Sequence, residues 1–232
     1  MSAVLIISIF LLALATFAFF RSKRPTSTDS AAPLPPLRPR ALFEVAEAET
    51  EARVNFDETR RELTERASRG DAGALRDAHA ARDRALYNDV LDALVRQRGS
   101  AGPEALRLLG HEIIRGGELR ANGSLTRGLL EVWHESPTRD ATVDLLRIAA
   151  LSDEAETFRE TVEAVYRRWR AGELRGLKPA ELSALFESEY WVLSSDAQRS
   201  GAGFVLKQTL AEIGRALAQA ARRESETSTE AV

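Results

Sequence analysis

The chain has 232 residues, with 32 basic and 35 acidic side chains, a formal net charge of −3 and no cysteine, so disulfides, thiolate metal sites and cysteine nucleophiles are excluded. Charge is unevenly placed: residues 1–40 hold five basic groups against one acid, and residues 41–232 hold the remaining 27 against 34. An acidic body lacks the clustered positive charge that phosphate contacts need, which argues against a nucleic-acid partner.

Ala3 to Phe20 reads AVLIISIFLLALATFAFF, without charge, proline or glycine, its only polar side chains being Ser8 and Thr16. Eighteen residues in a helix reach ~27 Å, close to the ~30 Å hydrocarbon core of a bilayer. The expectation is a single transmembrane anchor over 1–24, with Arg21, Lys23 and Arg24 as a basic collar at the membrane surface, facing lipid headgroups. A cleaved signal peptide fits less well. No basic side chain precedes the apolar run, and the run continues past the cleavage-like Ala13-Leu14-Ala15. With positive charge only after the span, the positive-inside rule predicts a cytoplasmic C-terminal body.

Residues 25–40, PTSTDSAAPLPPLRPR, contain five of the eight prolines and predict an extended, disordered or polyproline-II spacer. Pro33 to Arg38 matches the PxxPx[R/K] pattern of SH3-type ligands, a short motif that a stiff linker also produces.

From Ala41 the periodicity is helical throughout, predicting an all-α body over 41–223 and a solvated, disordered tail over 224–232. About eight helices are expected, joined by short turns into antiparallel hairpins, as an irregular solenoid or bundle. The first, about 41–68, carries a thin stripe of Leu42, Val45, Ala52, Phe56 and Leu63, and predicts a surface helix or stalk. A second is expected from Asp71 to Arg98, with Leu75, Ala78, Leu86, Val90 and Leu94 inward. Pro103, Pro137 and Pro179 are expected in first turns, with Ser124 capping a short helix to His134. Asp153-Glu154-Ala155-Glu156 reads as a capping box for a helix ending near Gly172. Ser194 or Ser195 opens the last helix, to about Arg223. The proline spacings of 34 and 42 give no fixed period, and the 34-residue tetratricopeptide signature fails at Glu112 and Ile113.

Catalytic and metal motifs are missing from the sequence. His111-Glu112 and His134-Glu135 begin like HExxH, but Arg115 and Thr138 stand at the second histidine position. Glu131 and His134 form one ExxH where a di-iron bundle needs two. There is no phosphate-cradling glycine loop and no GxSxG elbow, so no cofactor, metal or catalytic residue is predicted. The informative cluster is aromatic. Tyr166, Trp169 and Arg170 share a helical face with Phe158, Val162 and Val165, and Trp133, Tyr190 and Trp191 extend it if hairpins stack. These six, Trp133, Tyr166, Trp169, Arg170, Tyr190 and Trp191, are either core and rim or a partner-binding surface, since such residues are enriched at interface hot spots. The expected function is a non-catalytic, membrane-anchored scaffold or adaptor that binds other proteins, with homo-oligomerisation as an option. The rival expectation is an exported helical domain with an enzymatic or ligand-binding pocket lacking a short motif.

Overall fold

The computed structural model describes residues 39–174 and 176–230, with side chains for 53, 55–174 and 176–226. The apolar run 3–20, the collar Arg21, Lys23 and Arg24, the linker as far as Leu37-Arg38, and the terminal Ala231-Val232 lie outside the described residues. The chain divides into two units, Met1–Glu51 and Ala52–Val232. Of the first, what is described is the backbone of 39–51, the opening of helix α1 (Pro39–Ser68).

Among the described residues the structure is all-helical, ten helices packed in a bundle. After α1 come α2 (Gly73–Ala80), α3 (Arg84–Ala101), α4 (Pro103–Gly116), α5 (Gly123–Glu135), α6 (Arg139–Leu151), α7 (Ala155–Arg170), α8 (Pro179–Tyr190), α9 (Ser195–Arg199) and α10 (Gly201–Glu230). From α3 to α6, each helix packs on the next two, so α3, α5 and α7 form one row and α4, α6 and α8 the other. Helix α10 then lies against both α7 and α8. Short turns between apolar-faced helices lead to this pattern, because each helix must bury its stripe on near neighbours. One continuous core runs from Leu63 to Leu217, with Phe158, Leu86, Leu91, Leu94, Leu146 and Leu206 fully enclosed.

Glycine sets the closeness of α4 and α5. A Cβ on Gly110 would meet Leu129 Cδ1 at 3.0 Å, and a Cβ on Gly128 would meet Leu106 Cδ2 at 3.0 Å. Each helix thus receives a leucine of the other over a residue without a side chain.

Several boundaries differ from the sequence expectation. The helix expected from Asp71 to Arg98 is two helices, broken at Arg82, which takes a left-handed φ of 56°. Asp83 follows and caps α3, its carboxylate accepting from Leu86 N. HAARDRAL is rich in helix formers, so propensity concealed the break. Asn122, not Ser124, caps α5 by accepting from Leu125 N. Pro137 precedes α6 rather than opening it, and Thr138 is the cap. Pro103 and Pro179 do stand in first turns. The capping box proposed at 153–156 is absent: Asp153 has φ 57°, Glu154 makes no capping bond, and the Asp153 carboxylate accepts from Ser194 N at 2.7 Å. The expected final helix is likewise two. Ser194 caps α9, and Ser200 Oγ accepts from Gly203 N at the start of α10. At Gly203 an added Cβ would lie 2.2 Å from Ala197 O and 2.5 Å from Gln198 O, so only glycine lets α10 start against α9. The helical backbone of α10 continues through Glu230.

Phe56 and its described neighbours up to Glu62 are exposed, whereas Leu63 and Ala67 enter the core. Within 55–68 the apolar seating of α1 is at its end, where Arg66 bonds both Asp71 and Asp77 at 2.9 Å and fastens α1 to α2, and ahead of it Arg60 pairs with Asp89 on α3. Among the described residues, no helix is long and apolar enough to cross a membrane.

Candidate functional site

The aromatic residues singled out from the sequence separate into three local groups. Trp133, on α5, is 2% exposed. Its indole N–H donates to Thr142 Oγ1 on α6 at 2.9 Å, and the Thr142 hydroxyl donates to Thr138 O at 2.6 Å. Arg168, from α7, lies over the Trp133 ring with its guanidinium carbon 5.6 Å from the centroid. Trp133 is thus a core residue and not part of an exposed patch. Tyr166 and Trp169 on α7 stack at 6.1 Å, half-buried, and the Trp169 indole donates to Leu177 O at 2.9 Å. Arg170 is exposed at the end of α7. Tyr190 and Trp191, at the end of α8, meet edge to face at 5.4 Å. Among the described residues no ring contact joins these groups.

Trp191 is 67% exposed. It borders a groove of about 270 Å³ between α8 and α10, floored by Phe186, Leu210 and Leu217 and edged by Glu187 and Lys207. Gly214 lies along this groove with open space where a side chain would stand. Phe204 is 72% exposed, one turn before Lys207 on α10, and Val205 beside it is also exposed. Sequence reasoning passed over Phe204. It occupies the outer face of a helix whose inner positions, Leu206, Ile213 and Leu217, carry the periodic signal.

Two cavities add chemistry. The first, about 260 Å³, lies between α4, α5 and α6. Its apolar floor is Ile114, Leu129, Val132, Trp133, Leu145 and Ile148, and its mouth carries Arg107, His111, Asp140 and Asp144. His111 Nε2 is 3.4 Å from Asp144 Oδ2, and Arg107 pairs with Glu104 at 3.6 Å. The second, about 290 Å³, lies where the α2–α3, α4–α5 and α6–α7 turns meet. There the Tyr87 hydroxyl donates to Arg120 O at 2.6 Å and accepts from Arg120 N at 2.9 Å. Burial pushes the Tyr87 pKa up to about 12, against the lowering effect of the Arg120 N–H. The cavity's carboxylates are already engaged: Asp83 with Leu86 N, Asp153 with Ser194 N, and Glu154 with the Thr157 hydroxyl. That cavity is a junction of turns more than a receptor.

Among the described residues no three His, Asp or Glu side chains converge as ligands. His79 packs edge-on to Tyr87, and His134 sits beside Trp133. Comparison with protein-family models, with curated proteins and with solved structures finds no match to this chain.

Proposed function

We propose that this protein is a single-pass, membrane-anchored and non-catalytic adaptor whose helical body holds another protein at the membrane surface. The observation that carries the reading is the exposed Trp191 at the end of α8, bordering an apolar-floored groove against α10, with the exposed Phe204 one turn before Lys207 at the groove's edge. Large aromatics beside a groove are the residue type that supplies the buried anchors of protein interfaces. The uncharged run Ala3 to Phe20 supports the anchor, the basic residues at 21, 23 and 24 support contact with anionic headgroups, and the prolines of 25–40 support a stand-off. Helix hairpins stacked in two rows offer extended faces of the kind that bind proteins.

A photo-crosslinking amino acid placed at Trp191 in the full-length chain, in its native cell, tests this. One protein should be captured reproducibly, and capture from a probe at Lys207 should disappear in a Phe204→Ser, Trp191→Ser chain that remains folded. Capture of lipid alone, or unchanged capture in the double variant, overturns the adaptor reading. Mass spectrometry of the mature N-terminus tests the anchor separately, because cleavage near Ala15 would remove it.

A further inference from the structure

The cavity between α4, α5 and α6 has the makeup of a small-ligand site, with an apolar floor, a polar mouth and about 260 Å³ of space. An apolar cavity of ~150 Å³ accepts benzene, so this one has room for a ring and a short polar arm. Four floor residues, Leu129, Trp133, Leu145 and Ile148, are buried and held in the core, so the floor is already formed.

The charge at the mouth selects the arm. Asp140 and Asp144 stand at i and i+4 on α6, an arrangement in which like charges repel. Asp144 has His111 at 3.4 Å, a partner that is cationic only when protonated. Asp140 has no ion-pair partner among the described residues. Of the basic groups at the mouth, Arg107 is drawn toward Glu104 on its own helix. The charge at the mouth that no cation meets is therefore negative, offset at Asp140 only by the first turn of α6. Both carboxylates line the same cavity as the apolar floor.

We propose that this cavity binds a small amphiphilic cation, an apolar body the size of a single ring bearing an ammonium group. The ring replaces water over Leu129 and Trp133. The ammonium lies between Asp140 and Asp144, relieving their mutual repulsion and competing with His111 for Asp144. This site is separate from the α8–α10 groove and does not depend on the adaptor reading.

The probes are 2-phenylethylamine and its acidic counterpart 3-phenylpropionate, titrated calorimetrically into the full chain in a non-ionic detergent. The amine should bind saturably with a Kd on the order of 1 mM or tighter, and the acid should not bind over the same range. Asp140→Asn should weaken amine binding about tenfold, the scale of one lost charge-assisted contact. Ala141→Phe, projecting into the cavity, should abolish it with the far-UV circular dichroism unchanged. If Ala141→Phe does not fold, the contrast between amine and acid and the Asp140→Asn titration decide. Absence of saturable amine binding, equal binding of amine and acid, or an unchanged Kd in Asp140→Asn each overturns the proposal.

Discussion

Trp133 and Trp191 are the same residue type in opposite circumstances. Trp133 is enclosed and bonded through its indole to Thr142, while Trp191 keeps 67% of its surface in water. Trp133→Ala is expected to cost about 3–5 kcal/mol, from the lost burial, the cavity left behind and the lost indole bond to the Thr142 hydroxyl, which keeps its own bond to Thr138 O. Trp191→Ala should change stability by no more than about 0.5 kcal/mol. Urea denaturation of the two variants checks this, and a large loss in Trp191→Ala would mean that its side chain is structural. His134 adds a pH dependence. Its pKa is lowered first by burial, then by Arg168 and Arg167, against the opposing effect of Glu173. The unfolded chain, with the ordinary histidine value of about 6.5, therefore binds more protons in the window just below that value. Stability should fall on acidification from about pH 7.5 to 5.5. The part of that fall due to His134 should vanish in His134→Gln, read as a flatter dependence of Tm on pH.

At the scale of the element, the turns decide where helices stop. Arg82 and Asp153 both occupy the left-handed region, each one residue before the N-cap of the next helix. The conformation costs a non-glycine residue roughly 1 kcal/mol. Arg82 has no ion pair among the described residues, so Arg82→Gly should stabilise the fold by up to about 1 kcal/mol. Asp153→Gly relieves the same strain but gives up the bond from Ser194 N, which ties the α6–α7 turn to the cap of α9. It should come out neutral to destabilising by about 1 kcal/mol. Thermal unfolding of the pair separates strain from tethering. Equal shifts in both would show that the tether contributes nothing.

Across the whole molecule, ion pairs join elements that are distant in the chain. Arg147 on α6 reaches both oxygens of Glu189 on α8, at 3.1 and 3.3 Å, and the Glu189 side chain is only 9% exposed. Arg147→Ala strands this carboxylate and should cost about 2–3 kcal/mol, less than for a fully enclosed pair because Arg147 is itself half in water. Glu189→Gln, which leaves no buried charge, should cost less. Denaturant midpoints at neutral pH order the two, and the reverse order would mean that the pair does not couple α6 to α8. The long-range contacts rest on this row arrangement, in which α10 is seated on α7 and α8 and the groove beside Trp191 is created.

The sequence by itself determined the helical class and most of the inward faces. Leu75, Ala78, Leu86, Val90 and Leu94, and Phe158, Val162 and Val165, are all buried as their spacing predicts, because a 3.6-residue period leaves one face to pack. It also placed the uncharged run at the N-terminus and the absence of short catalytic motifs, both local properties of the chain. Tertiary structure alone decided that Trp133 belongs to the core while Trp191 and Phe204 face water. It alone placed the helix break at Arg82 among good helix formers, and brought Asp140 and Asp144 over a floor drawn from three helices. The reason is physical: periodicity reports which face a helix buries. Whether a residue at the edge of that face is covered, and what it then meets, depends on neighbours far away in the chain.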